Sequence, residues 1–445
     1  MPEDQPAGQP TTSRAARGLI VVLYHADRSP LRSSVRDHLY SFGRYADREC
    51  VYVNLAVRSL PDWLASVRID AVIFHTLLLA QRWHPPTFRK LTERLQRIRQ
   101  IACTKIAIPQ DDYIHTDALA AFIGDLGVDH VLTCAPETEW RTIYGTLVDG
   151  PVSFRRVLPG YLEPTTMERI ERLANGGVER SIDIGYRAWR PDFSLGRHAL
   201  LKARVGEVVA ERSSQFGLRT DISLRDEDTI FGDDWYRFML RCRWMIGVEG
   251  GASVLDADGS IMRRTSAYVR EHPSATYDEV ERACFPGQDG SVRLVAISPR
   301  HLEACATRTA QILVEGSYSG ALEPDRHYLP LAADFSNLDD VLARANDEEL
   351  RTQIASRAYE DIVESGRFEY RAFVTTTVDL IDATMSDLPR PSRALVRWSA
   401  LLDRVSWRWV WLRWRVRRAA RAILGRIGLL DRVMELRERR NAGPG

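Results

Sequence analysis

Apolar positions along the chain switch between two periods. Residues 18–24 (GLIVVLY) form an unbroken apolar run, the pattern of a parallel strand buried on both faces. Residues 33–45 then place Val35, Leu39 and Phe42 at helical spacing. The exchange recurs, with strands at 50–55, 70–78, 105–109 and 130–134 and helices at 61–67, 85–101 and 116–126. Strand and helix alternating at this spacing predict an open, doubly wound parallel sheet. Near Val157 the pattern breaks, and VLPGYLEPTT reads as a connection into a short helix at 167–174. A second α/β series opens with SIDIGY at 181–186. It continues with strands at 218–222, 244–248, 312–314 and 328–331 and helices at 196–215, 235–241, 338–345, 347–365 and 370–385. Residues 256–292 read as an insertion with its own helix at 277–284. The expected α/β fold has two doubly wound domains, 18–165 and 178–386. Ligands belong in the crevice between them, at the strand C-termini.

Composition changes this picture at the ends. Residues 1–17 are polar and Pro-rich, so they are expected to be disordered, and they lack the apolar core of a signal peptide. No run approaches the length of a membrane-spanning helix. The six cysteines are scattered without a C-x-x-C pair and read as small buried hydrophobes in a reducing compartment. The net charge of +1 conceals an asymmetry: residues 390–445 carry fifteen Arg against four acids, so they hold +11 and residues 1–389 hold −10. An acidic main body argues against specific nucleic-acid binding.

The candidate chemistry gathers in residues 296–337. Ser298 stands where it can cap a helix whose first turn holds Pro299 and Arg300. The free N–H groups and positive dipole end of such a helix suit a phosphate, and Arg300 can grip a diphosphate bidentately. Glu303, one turn on, can accept hydrogen bonds from sugar hydroxyls. An ordinary amphipathic helix accounts for these residues as well. Gly250 and Gly251 follow a strand and permit close backbone approach to a ligand. Lys202 is one of three lysines among 58 arginines, and Arg187 ends a strand. Asp111, Asp112 and Tyr113 follow a first-domain strand, where an acid can bind or deprotonate an acceptor hydroxyl, and capping of the helix that begins at Thr116 accounts for them equally. His25 and His75 are lesser candidates there. Tyr318, with Ser317, Gly320, His327 and Tyr328, is expected to line a sugar pocket. Asp256 and Asp258 could hold a metal, but Asx turns explain them better.

The segment PRHLEACATRTAQILVEGSYSGALEPDRHYLPLAADFSN resembles the donor-binding part of the group 1 glycosyltransferases, family 4-like retaining enzymes of GT-B architecture. IGYRAW, GRHALLK, FGDDW and GVEGGASVLDADG resemble pieces of a bacterial subgroup linked to surface polysaccharide synthesis. The resemblance covers about residues 20–385 and is strongest in 181–340. It implies a GT-B fold and transfer of a hexose from a nucleotide-diphosphate sugar to a glycan or lipid-linked acceptor. It implies that Glu303 binds the ribose, that Glu249 touches the donor sugar, that Arg187 and Lys202 hold the diphosphate, and that no metal or other cofactor is needed. Family members place seven residues between the two glutamates; here Val295 occupies that position, so the insertion must loop out to bring Glu249 near. A catalytically silent GT-B scaffold that binds sugar nucleotide or glycan is the alternative.

Residues 394–430 form a long amphipathic helix, with Trp398, Leu402, Val405, Trp409, Leu412 and Val416 on one face and Trp407, Trp411 and Trp414 among arginines elsewhere. Trp beside Arg suits the headgroup zone of a membrane. The expectation is a peripheral protein at the inner, cytoplasmic face of the cell membrane. A helix packed on the acidic body is the competing reading.

Overall fold

The computed structural model describes residues 18–381 and 387–426, and of 421–426 the backbone alone. The disorder expected for 1–17 and the tail beyond Arg426 lie outside the described residues.

In the first domain β1 (Leu19–Tyr24), β2 (Glu49–Asn54), β3 (Ala71–Phe74), β4 (Thr104–Ala107), β5 (His130–Thr133) and β6 (Ser153–Arg156) form one parallel sheet, ordered β2-β1-β3-β4-β5-β6. All of β1 is buried, which is why its apolar run has no polar breaks. Its residues alternate between two cores: Leu19, Val21 and Leu23 serve one face, Ile20, Val22 and Tyr24 the other. The sequence pattern missed β6 because an edge strand of composition SFRR, partly exposed throughout, carries no apolar signal. The strand expected at 70–78 ends at Phe74. His75 instead caps a short helix, Thr76–Leu79, its ring accepting from the Leu77 N–H.

In the second domain β7 (Ile182–Arg187), β8 (Thr220–Ser223), β9 (Cys242–Gly247), β12 (Ala310–Val314) and β13 (Leu329–Leu331) form a parallel sheet, ordered β13-β12-β9-β7-β8. Both sheets wind alike, with the first strand between the second and third. The switch points therefore lie between β1 and β3 and between β7 and β9, where loops diverge to open a crevice. Two such domains facing a cleft are the GT-B arrangement.

The insertion does loop out. Strand β10 (Gly250–Ala252) pairs antiparallel with β11 (Leu294–Ala296), placing Gly251 opposite Val295. Only glycine fits there: its φ is +140°, and a Cβ would meet the Leu294 carbonyl. The excursion holds helices Ser260–Glu271 and Tyr277–Cys284 around Val254, Ile261, Val280 and Phe285. Both carboxyl oxygens of Asp256 and one of Asp258 cap the first of these helices. The Asp256 turn also bridges the domains: the His115 N–H donates to the Asp256 carbonyl, and the Asp256 N–H to that of Tyr113.

Helix Tyr370–Val378 follows the second domain in sequence but packs on the first, where Phe373 and Val374 join the core around Phe42. The tail helix, Arg393–Arg426, lies along edge strand β2. Leu395 and Val396 meet the core on one side of the sheet and Trp407 the core on the other, so the helix covers the strand's edge. None of the helices among the described residues is long and apolar enough to cross a membrane.

Candidate active site

The crevice at the two switch points contains two adjoining cavities. One is lined by Trp189, Phe231, Trp235 and Glu303, the other by Trp83, Asp111, Lys202, Gly250 and Gly251; Arg32, Ser298 and Arg300 border both. The segments after β1, β4, β7 and β9 bring in Arg32, Asp111, Trp189 and Gly250, while Phe231 and Trp235 follow β8 and Ser298, Arg300 and Glu303 follow the antiparallel ribbon.

Helix Pro299–Ala306 aims its N-terminus at the junction. Ser298 has extended backbone (φ −82°, ψ 141°), Pro299 opens the first turn, and the Ser298 hydroxyl makes no capping bond. Pro299 carries no N–H and the His301 N–H donates to the Ser298 carbonyl, so the Arg300 N–H is the first-turn donor left without an intrahelical acceptor at the positive end of the helix. Arg300 is held by donating from Nη1 to the Arg187 carbonyl at 2.8 Å. Arg300, Lys202 and Arg32 lie close enough to repel one another. The Lys202 ammonium is pushed down to about 8, first by burial and then by Arg300, with Arg32 adding and Asp111 opposing. Burial and then Arg300 also lower Arg32, against Glu303. Like charges converging from two domains on a helix N-terminus form a site that favours an anion.

This geometry sets a pH dependence. Lys202 must be protonated to attract phosphate, so affinity for a nucleoside diphosphate should fall as pH rises above about 8, by up to about tenfold per pH unit. Lys202→Met should flatten that slope. Calorimetric titration across this range measures both; an equal slope in the variant would assign the titration elsewhere.

Glu303 lies against the first cavity, and burial raises its carboxyl pKa while Trp235 and Arg300 oppose. The Trp235 indole N–H donates to its Oε2 at 2.8 Å, leaving the carboxyl oriented toward helix Asp233–Arg241. Phe231, on the same wall, is 47% exposed, a flat apolar surface open to a ring.

Five expected ligand contacts have other partners. Arg187 borders the first cavity, but its guanidinium bonds the Asp221 carboxylate at 2.7 Å and covers the Phe238 ring at 4.4 Å. It acts on the junction through its carbonyl, which holds Arg300, and Arg32 supplies the third cation. Glu249 is 2% exposed, and its carboxylate accepts from the Ser317 N–H, the Ser317 hydroxyl and the Tyr318 N–H. It orders the turn after β12, while its neighbours Val248, Gly250 and Gly251 face the second cavity. Tyr318 is fully buried, with its hydroxyl on the Val314 carbonyl, and lines neither cavity. His327 is likewise occupied by Asp361 and the Glu323 N–H. His75 pairs with His38 at 2.9 Å within the core.

In the first domain, the loop after β4 presents Asp111 to the second cavity, in left-handed backbone at φ 58°. Asp112 turns inward: it accepts from Thr133 and Tyr144, burial raises its pKa, and its Oδ1 has no partner. Arg82, fully buried, secures this loop. It donates to the carbonyls of Leu79, Gln110, Asp111 and Ile114 at 2.5–3.0 Å.

Neither a protein-family model nor a curated protein matches the chain. Solved structures are similar to it over most of its length. HepE of Anabaena in complex with UDP-glucose has 9% identity, covering 81% of this chain and 99% of that chain, with a TM-score of 0.42. Sucrose-phosphate synthase from Thermosynechococcus elongatus has 12% identity, covering 82% and 98%, with a TM-score of 0.43. An alpha-glucosyltransferase in complex with UDP and a 13-mer DNA has 9% identity, covering 82% and 99%, with a TM-score of 0.46.

The sequence reading omitted Arg32, Arg82, Trp189 and Trp235. Arg32 and Arg82 are unmarked among 58 arginines. Trp189 and Trp235 end the IGYRAW and FGDDW segments, and an aromatic just past a strand end, or beside a loop acid such as Asp234, is the available signal.

Proposed function

We propose that the protein is a hexosyltransferase-type glycosyltransferase. It moves a sugar, with retention, from a nucleotide-diphosphate donor to a glycan or lipid-linked acceptor in cell-surface polysaccharide synthesis. The carrying observation is the group of like charges, Arg32, Lys202 and Arg300, at a helix N-terminus between two cavities. In this reading the diphosphate bridges the cavities, the base lies against Phe231 and the ribose meets Glu303. The sugar extends past Gly250 and Gly251 toward Asp111. Transfer breaks the bond between the sugar's anomeric carbon and the diphosphate oxygen and forms one from that carbon to the acceptor oxygen, whose proton passes to the leaving diphosphate. Charge develops on that oxygen, and the three cations and the Arg300 N–H at the helix start are placed to meet it. Asp111 faces the acceptor hydroxyl from the opposite domain. The protein works at the cytoplasmic face of the cell membrane.

A binding scaffold without turnover is the second reading. It is favoured by Val295 at the position of the spaced glutamate and by the full engagement of Glu249 with its loop. Thermal shift with a panel of nucleoside diphosphates, followed by a donor-hydrolysis assay with the matching nucleotide sugar, tests both. A nucleotide held at about one hundred times its Kd should stabilise the fold by about 2.7 kcal/mol. Stabilisation with slow donor hydrolysis supports the enzyme, stabilisation without turnover supports the scaffold, and no stabilisation by any nucleotide removes the enzyme and every nucleotide-binding scaffold.

A further inference from the structure

The tail helix packs in an unusual sense. Leu395, Val396 and Trp407 pack on the body together with small and polar side chains, while a second row of large apolar side chains faces out. Ser399, Asp403, Ser406 and Val410 are buried. The Asp403 carboxylate accepts from the hydroxyls of Tyr24 at 2.6 Å and Tyr40 at 2.8 Å, and Trp407 stacks on Tyr24 and donates to Tyr40. These bonds fix the rotation of the helix about its axis. Trp398, Leu401, Val405, Trp409, Leu412 and Val416, spaced three or four residues apart, therefore form one continuous outward stripe, each 42–61% exposed.

Charge on the outer surface is of one sign. Asp403 is the sole acid from Arg393 to Ala420, and it is buried; the eight arginines in that span are all exposed. Helical spacing puts Arg397, Arg404, Arg408 and Arg415 beside the apolar stripe, and Arg415 lies over the Trp411 ring at 4.6 Å. An apolar stripe edged by arginine needs a partner that is apolar in depth and anionic at its surface. Nucleic acid would satisfy the arginines and leave Leu401, Val405, Leu412 and Val416 in water. A bilayer with anionic headgroups satisfies both, with the two outward tryptophans at the interface.

We infer that the outer face of helix Arg393–Arg426 is a docking surface for an anionic lipid bilayer, with the helix lying in the plane of the interface and the first domain fixed behind it. The helix starts near Arg68, whose N–H donates to the Pro389 carbonyl, and runs to Arg417, 3.9 Å from Asp27. Asp27 belongs to the loop after β1 that carries Arg32 into the crevice. Docking thus brings the crevice mouth of the first domain to the membrane. This last step rests on the glycosyltransferase reading, under which the acceptor class becomes lipid-linked.

Flotation of the full chain with vesicles tests the surface. Phosphatidylcholine vesicles containing phosphatidylglycerol should capture the protein, and phosphatidylcholine alone should capture at least about tenfold less. Trp398→Ser/Trp409→Ser/Val416→Ser should lose about tenfold or more in capture, and so should Arg397→Ser/Arg404→Ser/Arg408→Ser/Arg415→Ser. All seven side chains are exposed, so both variants should keep the melting temperature and the nucleotide-induced thermal shift. Absent capture by phosphatidylglycerol vesicles, undiminished capture of both variants, or tighter binding to a DNA duplex than to vesicles would overturn the inference. A wild-type protein that floats with vesicles but is stabilised by no nucleotide keeps the docking surface and removes the enzymatic reading, so the two fail separately.

Discussion

Arg300→Ala is expected to lower sugar transfer about 10²–10³-fold, the loss seen when one preorganised charge-stabilising donor is removed. The effect should fall on turnover more than on donor binding, because charge on the leaving oxygen grows as the glycosidic bond breaks. Without ligand the sign reverses. Arg300 lowers the Lys202 and Arg32 pKa values by repulsion, so its removal relieves strain between like charges. The melting temperature of the free protein should hold or rise slightly, while stabilisation by nucleoside diphosphate shrinks. A purely structural Arg300, bonded to the Arg187 carbonyl, would behave in the opposite way. Lower free-protein stability with unchanged transfer would therefore remove the assignment. Transfer rate and thermal shift on one preparation decide it.

Arg82→Met should be the most destabilising single change. Arg82 is 0% exposed and satisfies four backbone carbonyls, three of them in the stretch from Gln110 to Ile114. It also lowers the pKa of buried Asp112 against the effect of burial. Methionine fills similar volume but strands those acceptors and leaves Asp112 without the neighbouring cation. Breaking such a buried charged network costs about 3–5 kcal/mol. Arg82→Lys should recover little, because three donors on a point charge do not reproduce the planar fork of five. Denaturant unfolding should show the loss as a lower midpoint in both variants. A wild-type midpoint in Arg82→Met would mean that the carbonyls find other donors. Since the same loop presents Asp111, transfer should fall further than stability accounts for.

Local pattern and long-range convergence divide what was legible. Helices Ser33–Tyr45, Thr116–Leu126 and Tyr277–Cys284 lie at the bounds expected from periodicity, because apolar spacing and end signals act within a few turns. The buried strands β1, β9 and β12 were visible for the same reason. Polar edge strand β6 and the three-residue strands of the ribbon were not, since each is stabilised by its neighbours and carries no period of its own. Among site residues, Ser298, Arg300 and Glu303 could be read together because the start of one helix holds them, and Lys202 stood out by rarity.

The sequence by itself therefore determined two doubly wound domains, a helix N-terminus suited to phosphate, and a basic aromatic tail. Only the tertiary structure decided which charges meet. Arg32 and Arg300 are far apart in the chain and close in space through the winding of two sheets. It reassigned Glu249 to a loop, since its three donors come from residues 317 and 318. It also decided which face of the tail looks outward. Periodicity locates an apolar face but does not say whether that face is buried, and here the bonds of Asp403 to two tyrosines on other elements turn it to the outside.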